Sequence, residues 1–140
     1  MSNIKSYQRL LAVQAIYEAS INKEVTKTSI DELLLHIIEN VDFKNKVNGS
    51  KLLLTKQIYN GVFSNLEKID LIFSRSLKKK RDDLNYDKLL IAIFRCAIYE
   101  IALKRDISKK IVISEYLMIS NHFFSKKEAT FLNGVLDNLR

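Results

Sequence analysis

Residues 84–104, "LNYDKLLIAIFRCAIYEIALK", are apolar over most of a helical circumference. Leu89, Leu90, Ile91, Ile93, Phe94, Ala97, Ile98, Ile101 and Ala102 leave little of the surface polar. A helix of that kind belongs inside a protein, so the rest of the chain must surround it. At 140 residues the chain fits one domain, 1–140, large enough to bury such a core. It contains no proline and only three glycines, Gly49, Gly61 and Gly134. Sheet proteins need many turns, and turns rely on Gly and Pro. The expectation is an all-α fold.

The other helices follow from periodicity and caps. Ile4 to Ile21 carries an inner stripe of Leu10, Val13, Ile16 and Tyr17, with Ala12 and Ala15 admitting close neighbours. Ser29 and Glu32 form a capping box before a second helix that ends near Asn40. "NVDFKNKVNGS" reads as loop. From Lys51 to Leu77 the apolar spacing runs through Asn60-Gly61 without interruption. That predicts a helix containing a glycine, with a break near Ser64 or Asn65. Ser108 caps a further helix, and Ser125 with Glu128 opens the last. The β-branched run Ile111, Val112, Ile113 has no second strand to pair with and reads as helix. The sum is about seven helices.

The residues offer little to catalysis. Three isolated glycines cannot make a phosphate loop. His36 and His122 lack metal-ligand spacing, so no metal and no cofactor is expected. Cys96, the single cysteine, sits on the apolar helix as an inert thiol, and no internal disulfide can form. No signal peptide is visible, and no apolar run reaches the roughly 18 residues of a membrane span. A cytoplasmic location and no membrane partner are expected. Arg95, Glu100 and Glu115 are charges on otherwise apolar helices and need partners. An ion pair between the central helix and the helix after Ser108 would provide them, a structural role rather than a catalytic one. The net charge of +7 suits a polyanion such as RNA, or simply a solvated lysine-rich surface. Tyr7 and Tyr116 are either stacking surfaces for unpaired bases or edges of the core. The residues alone describe a basic, all-helical binding domain, not an enzyme.

Four segments carry a resemblance: "AVQAIYE" (12–18), "LLIAIFRCAIYEI" (89–101), "KIVISEY" (110–116) and "FLNGVLD" (131–137). In this order they resemble the NusB family of bacterial transcription antitermination factors over nearly the whole chain. The resemblance implies a NusB-like fold of two packed three-helix bundles. It implies partnership with the ribosomal protein that doubles as NusE, and binding of the pair to the boxA element of ribosomal RNA leaders. RNA polymerase, joined by other Nus factors, then reads through terminators. Some family members form homodimers when free, hiding the RNA face. The alternative is the same fold serving as an RNA-binding or adaptor module in ribosomal RNA modification.

Carried over by position, Lys5 and Arg9 match the family's basic N-terminal RNA-contacting segment, and Tyr17 matches a tyrosine that faces NusE. Leu90 stands where the family has an acidic residue that helps hold NusE. Lys126 and Lys127 replace acidic residues, which puts them on the RNA footprint. Lys5, Arg9, Lys126 and Lys127 are thus expected to share one basic face, where the first and last helices lie side by side. The run Lys78 to Arg81 is expected to be bystander charge on a loop. Asn133-Gly134 is the family's hallmark pair. Its expected role is packing: Gly134 removes a side chain at a close helix crossing, and Asn133 bonds across it.

Overall fold

The structure, a computed structural model, describes residues 3–21, 52–77 and 86–139. The helix expected near 29–40, the loop that follows it and the basic run at 78–81 lie outside the described residues. Within them there are six helices and no strand: α1 (Ile4–Ile21), α2 (Leu53–Ser64), α3 (Leu66–Ser76), α4 (Lys88–Ile98), α5 (Lys109–Phe123) and α6 (Lys126–Asp137). A π-helical turn, Tyr99–Lys104, continues α4.

α4 packs against each of the other five helices. Leu90, Ala92, Ile93, Phe94, Cys96, Ala97 and Ile98 are buried along it, as an all-round apolar sequence requires. α1 and α2 pack on each other and on α4, while α5 and α6 pack on each other and join α4 from another side. The last helix does not lie along the first: its neighbours are α5, α4 and α3. The expected side-by-side placement is therefore wrong, because the central helix takes the inner faces of both.

The ends of the helices have local causes. Asp87, which sequence reading passed over, accepts from the amides of Leu89 and Leu90 and starts α4. Ser108 accepts from the Ile111 amide, and Ser125 with Glu128 forms the expected capping box. The break between α2 and α3 falls at Asn65, whose Nδ2 donates to the Gly61 carbonyl at 2.8 Å. α2 is capped from another helix: the Leu54 amide donates to Gln8 Oε1 at 2.9 Å, satisfying one of the first-turn donors.

Gly61 permits a close contact. A Cβ built there would collide with the ring of Tyr99 at the start of the π turn. Gly134, the glycine expected to sit at a helix crossing, has nothing within 4 Å of such a Cβ. Leu132, Val135 and Leu136 occupy the inner face of α6, so Asn133 and Gly134 point outward and are exposed. The packing role assigned to the Asn133-Gly134 pair is overturned by that register.

Candidate nucleic-acid interface

A groove with a volume of about 560 Å³ opens between the end of α3, the start of α4 and the outer side of α6. Leu77, Tyr86, Leu90, Phe131 and Val135 line it, and Lys127, Gly134 and Asn138 stand at its border. Tyr86 and Phe131 stack with ring centroids 5.3 Å apart and planes 21° apart. Phe94 supports Phe131 edge-on at 5.4 Å and itself packs on Phe73 at 4.7 Å. The aromatic wall is thus braced from the core, while both stacked rings remain half-buried. Gly134 is part of this lining. It leaves the outer side of α6 without a side chain where the groove runs past it.

Leu90, expected to meet the NusE protein, and Lys127, expected to meet RNA, line this same groove. Leu90 is only 5% exposed and can be touched only by something entering the groove. Lys126 and Lys127 are exposed on the first turn of α6. Tyr17 is half-buried and packs against the core. Lys5 is exposed on the first turn of α1.

Arg9 does not join these lysines. It is 4% exposed and enclosed in a network of charges. Its Nε and Nη2 donate to the two oxygens of Glu100 at 2.8 and 3.1 Å, and its Nη1 donates to Glu115 Oε1 at 3.1 Å. The Tyr116 hydroxyl donates to Glu100 Oε2 at 2.6 Å, and Ser6 Oγ lies 3.0 Å from both oxygens of Glu115. Reaching a phosphate would require Arg9 to abandon two carboxylates, leaving Glu100, 1% exposed, without its main partner. Burial alone would lower the pKa of Arg9. The hydrogen bond and charge of Glu100 outweigh it and hold the guanidinium above its ordinary value. Burial first, and then the charge of Glu100, push the Tyr116 phenol well up. Tyr116 is therefore a core residue bound to Glu100, not a stacking surface.

Arg95, Glu100 and Glu115 all have charged partners, but not one another as expected. Glu100 and Glu115 share Arg9, whereas Arg95 turns to Asp70, with Nε to Oδ1 and Nη2 to Oδ2 both at 3.0 Å. Arg95 and Glu100 are five residues apart, which on a helix places them roughly 140° from each other. They could not serve one cluster. The groove at Leu90 and the network at Glu100 are also ten residues apart along α4, roughly 15 Å of helical rise. Lys5 therefore stands toward the far end of α4 from Lys127, and the four expected RNA residues do not form one face.

Cys96 is fully buried, and burial, with the neighbouring Glu100 charge, holds its thiol well above the ordinary range. Among the described residues no group of three His, Cys, Asp or Glu could hold a metal ion. No helix among them is long and apolar enough to cross a membrane.

Sequence reading missed Ser6 and Asp70 as charge partners and Tyr86 and Phe131 as a stacked wall. The signal for Gly61 was available, as a glycine within an unbroken apolar stripe. The partners of Arg95 and Glu100 left no local signal, since they come from other helices.

The described residues form an all-helical domain built around one apolar helix, with an aromatic groove on its surface bordered by Lys127 and Glu128. The NusB family model matches residues 6–140, and the chain belongs to the NusB family. It is 33% identical over 141 residues to the transcription antitermination protein NusB of Rickettsia bellii, covering 98% of this chain and 90% of that protein. To the transcription antitermination protein NusB of Novosphingobium aromaticivorans it is 31% identical over 133 residues, covering 92% and 87%. Its fold matches a crystal structure of the antitermination factors NusB and NusE in complex with dsRNA, with a TM-score of 0.77 and 19% identity over 98% of this chain and 96% of that one. A T. maritima NusB structure gives 0.76 and 22% over 98% and 90%.

Proposed function

We propose that this protein is a cytoplasmic transcription antitermination factor that acts without catalysis as a single RNA-binding domain, 1–140. With a NusE-type ribosomal protein it binds the boxA element of a ribosomal RNA leader and helps RNA polymerase pass terminators. The observation that carries the site assignment is the Tyr86–Phe131 stack beside Lys127. Unpaired bases stack on aromatic rings that keep part of their surface open, as these half-buried rings do, and a neighbouring lysine meets a phosphate. Lys127 at the groove and Lys126 next to it in the chain take the phosphate role, and Lys5 takes a separate phosphate contact from α1. Tyr17 faces the NusE-type partner, and Leu90 floors the groove beside it.

The test is a titration of boxA RNA against the full-length protein with its NusE-type partner at several salt concentrations. Phe131→Ala should weaken binding by about 1–3 kcal/mol without changing the salt slope, because it removes stacking and no charge. Lys126→Ala with Lys127→Ala should lower the slope of log K by about 1.4, two phosphate contacts on a single strand. If neither variant alters RNA binding, the groove is not the RNA site.

A further inference from the structure

The first turn of α1 is poorly suited to be a helix by itself. It contains β-branched Ile4, Ser6 and no acidic residue, and it places the cation Lys5 at the positive end of the helix dipole. The turn is nonetheless held, from both sides. The Asn3 side chain accepts from the Ser6 amide at 2.8 Å, which caps the helix start. The Ser6 hydroxyl, 2% exposed, sits 3.0 Å from both oxygens of Glu115 on α5. Glu115 is fixed in turn by Arg9 Nη1, and Arg9 is fixed by Glu100. A chain of contacts thus runs from the π turn after α4, through Arg9 and Glu115, to the residue next to Lys5.

We infer that Ser6 and Glu115 are positioning residues that hold the first turn of α1 so that Lys5 is presented at a fixed place to an RNA phosphate. The cation stands where the helix dipole opposes it, and the buried clamp offsets that cost. A lysine on a frayed turn would have to give up chain entropy each time it met a phosphate, whereas a clamped one is already in place. The inference rests on the reading of Lys5 as an RNA contact, and the experiment separates the two.

The full-length protein with its NusE-type partner is titrated with boxA RNA across a salt series, as Lys5→Ala, Ser6→Ala, Glu115→Gln and the Lys5→Ala/Ser6→Ala double variant. Thermal melts establish that each is folded. Ser6→Ala keeps the Arg9 ion pairs and removes only the tie to Glu115, so it remains informative should Glu115→Gln fail to fold. Each single variant should lower the slope of log K by about 0.7, the loss of one phosphate contact. The double variant should lower it no further than Lys5→Ala alone, because a positioning residue has nothing left to act through. A purely structural clamp would lower the melting temperature and leave the slope alone. If Lys5→Ala lowers the slope and Ser6→Ala does not, the clamp does not position Lys5. If Lys5→Ala itself leaves the slope unchanged, Lys5 meets no phosphate, and the reading of α1 falls together with the inference.

Discussion

Arg9 Nε lies 2.8 Å from Glu100 Oε2, with side chains only 5% and 1% exposed, and so ties the first helix to the end of the central one. A pair so deeply buried owes its stability to completeness: each charge is tolerable only while the other is present. Glu100 also accepts from Tyr116, and Arg9 also donates to Glu115, so the carboxylates keep few unsatisfied lone pairs.

Glu100→Ala should therefore destabilise the protein by about 3–5 kcal/mol, because it leaves the buried guanidinium with Glu115 alone and the Tyr116 hydroxyl without its acceptor. Urea denaturation measures this directly. Exchanging Arg9 and Glu100 together for well-packed apolar residues should cost much less than the two single losses added. A double variant as damaged as that sum would show that Arg9 and Glu100 are not energetically coupled.

Alkaline pH should weaken the fold in stages. The Cys96 thiol and the Tyr116 phenol both have their pKa values raised in the folded state by burial and by the Glu100 charge. Their neutral forms are favoured by folding, so this stability is complete below the unfolded pKa values. It declines as pH rises past about 8.5 for cysteine and about 10 for tyrosine, by up to about 1.4 kcal/mol per pH unit for each group. Denaturation of Cys96→Ala should show a shallower decline than the parent protein between pH 8.5 and 10, the tyrosines with raised pKa values accounting for the remainder as pH nears 10. A slope there identical to that of the parent protein would assign the loss to other groups.

Gly61→Ala tests the contact beneath Tyr99. Alanine gains about 1 kcal/mol of helix propensity over glycine, but its Cβ meets the Tyr99 ring. The ring must move, and overpacking of this kind costs about 1–3 kcal/mol. The variant should be destabilised, and in a Tyr99→Leu background the same substitution should become neutral or favourable. Additive effects in that double-mutant cycle would separate the two residues.

Gly134 should behave in the opposite way. With open space around its Cβ position, Gly134→Ala should raise stability by about 1 kcal/mol, the ordinary propensity gain in a helix. Gly134→Leu should also fold, while extending a side chain over the groove and weakening RNA binding. A melt showing Gly134→Leu strongly destabilised would return this glycine to a packing role.

The all-helical fold was legible because periodicity and capping act within a few residues. The apolar circumference of 84–104, the stripe of Ile4 to Ile21 and the caps at Ser108 and Ser125 are statements about neighbours in the chain, and folding preserves them. The break at Asn65 was legible for the same reason. Tertiary structure decided whatever depends on which helix lies opposite. Arg9 is indistinguishable from a surface arginine in a linear reading. It becomes internal because Glu100 and Glu115, 91 and 106 residues further on, converge on it. The two helical glycines look equivalent in the chain, yet only Gly61 faces an aromatic ring from another helix, while Gly134 faces the groove. A residue's spacing names the side of its helix, and the partner on that side is set by how the helices pack.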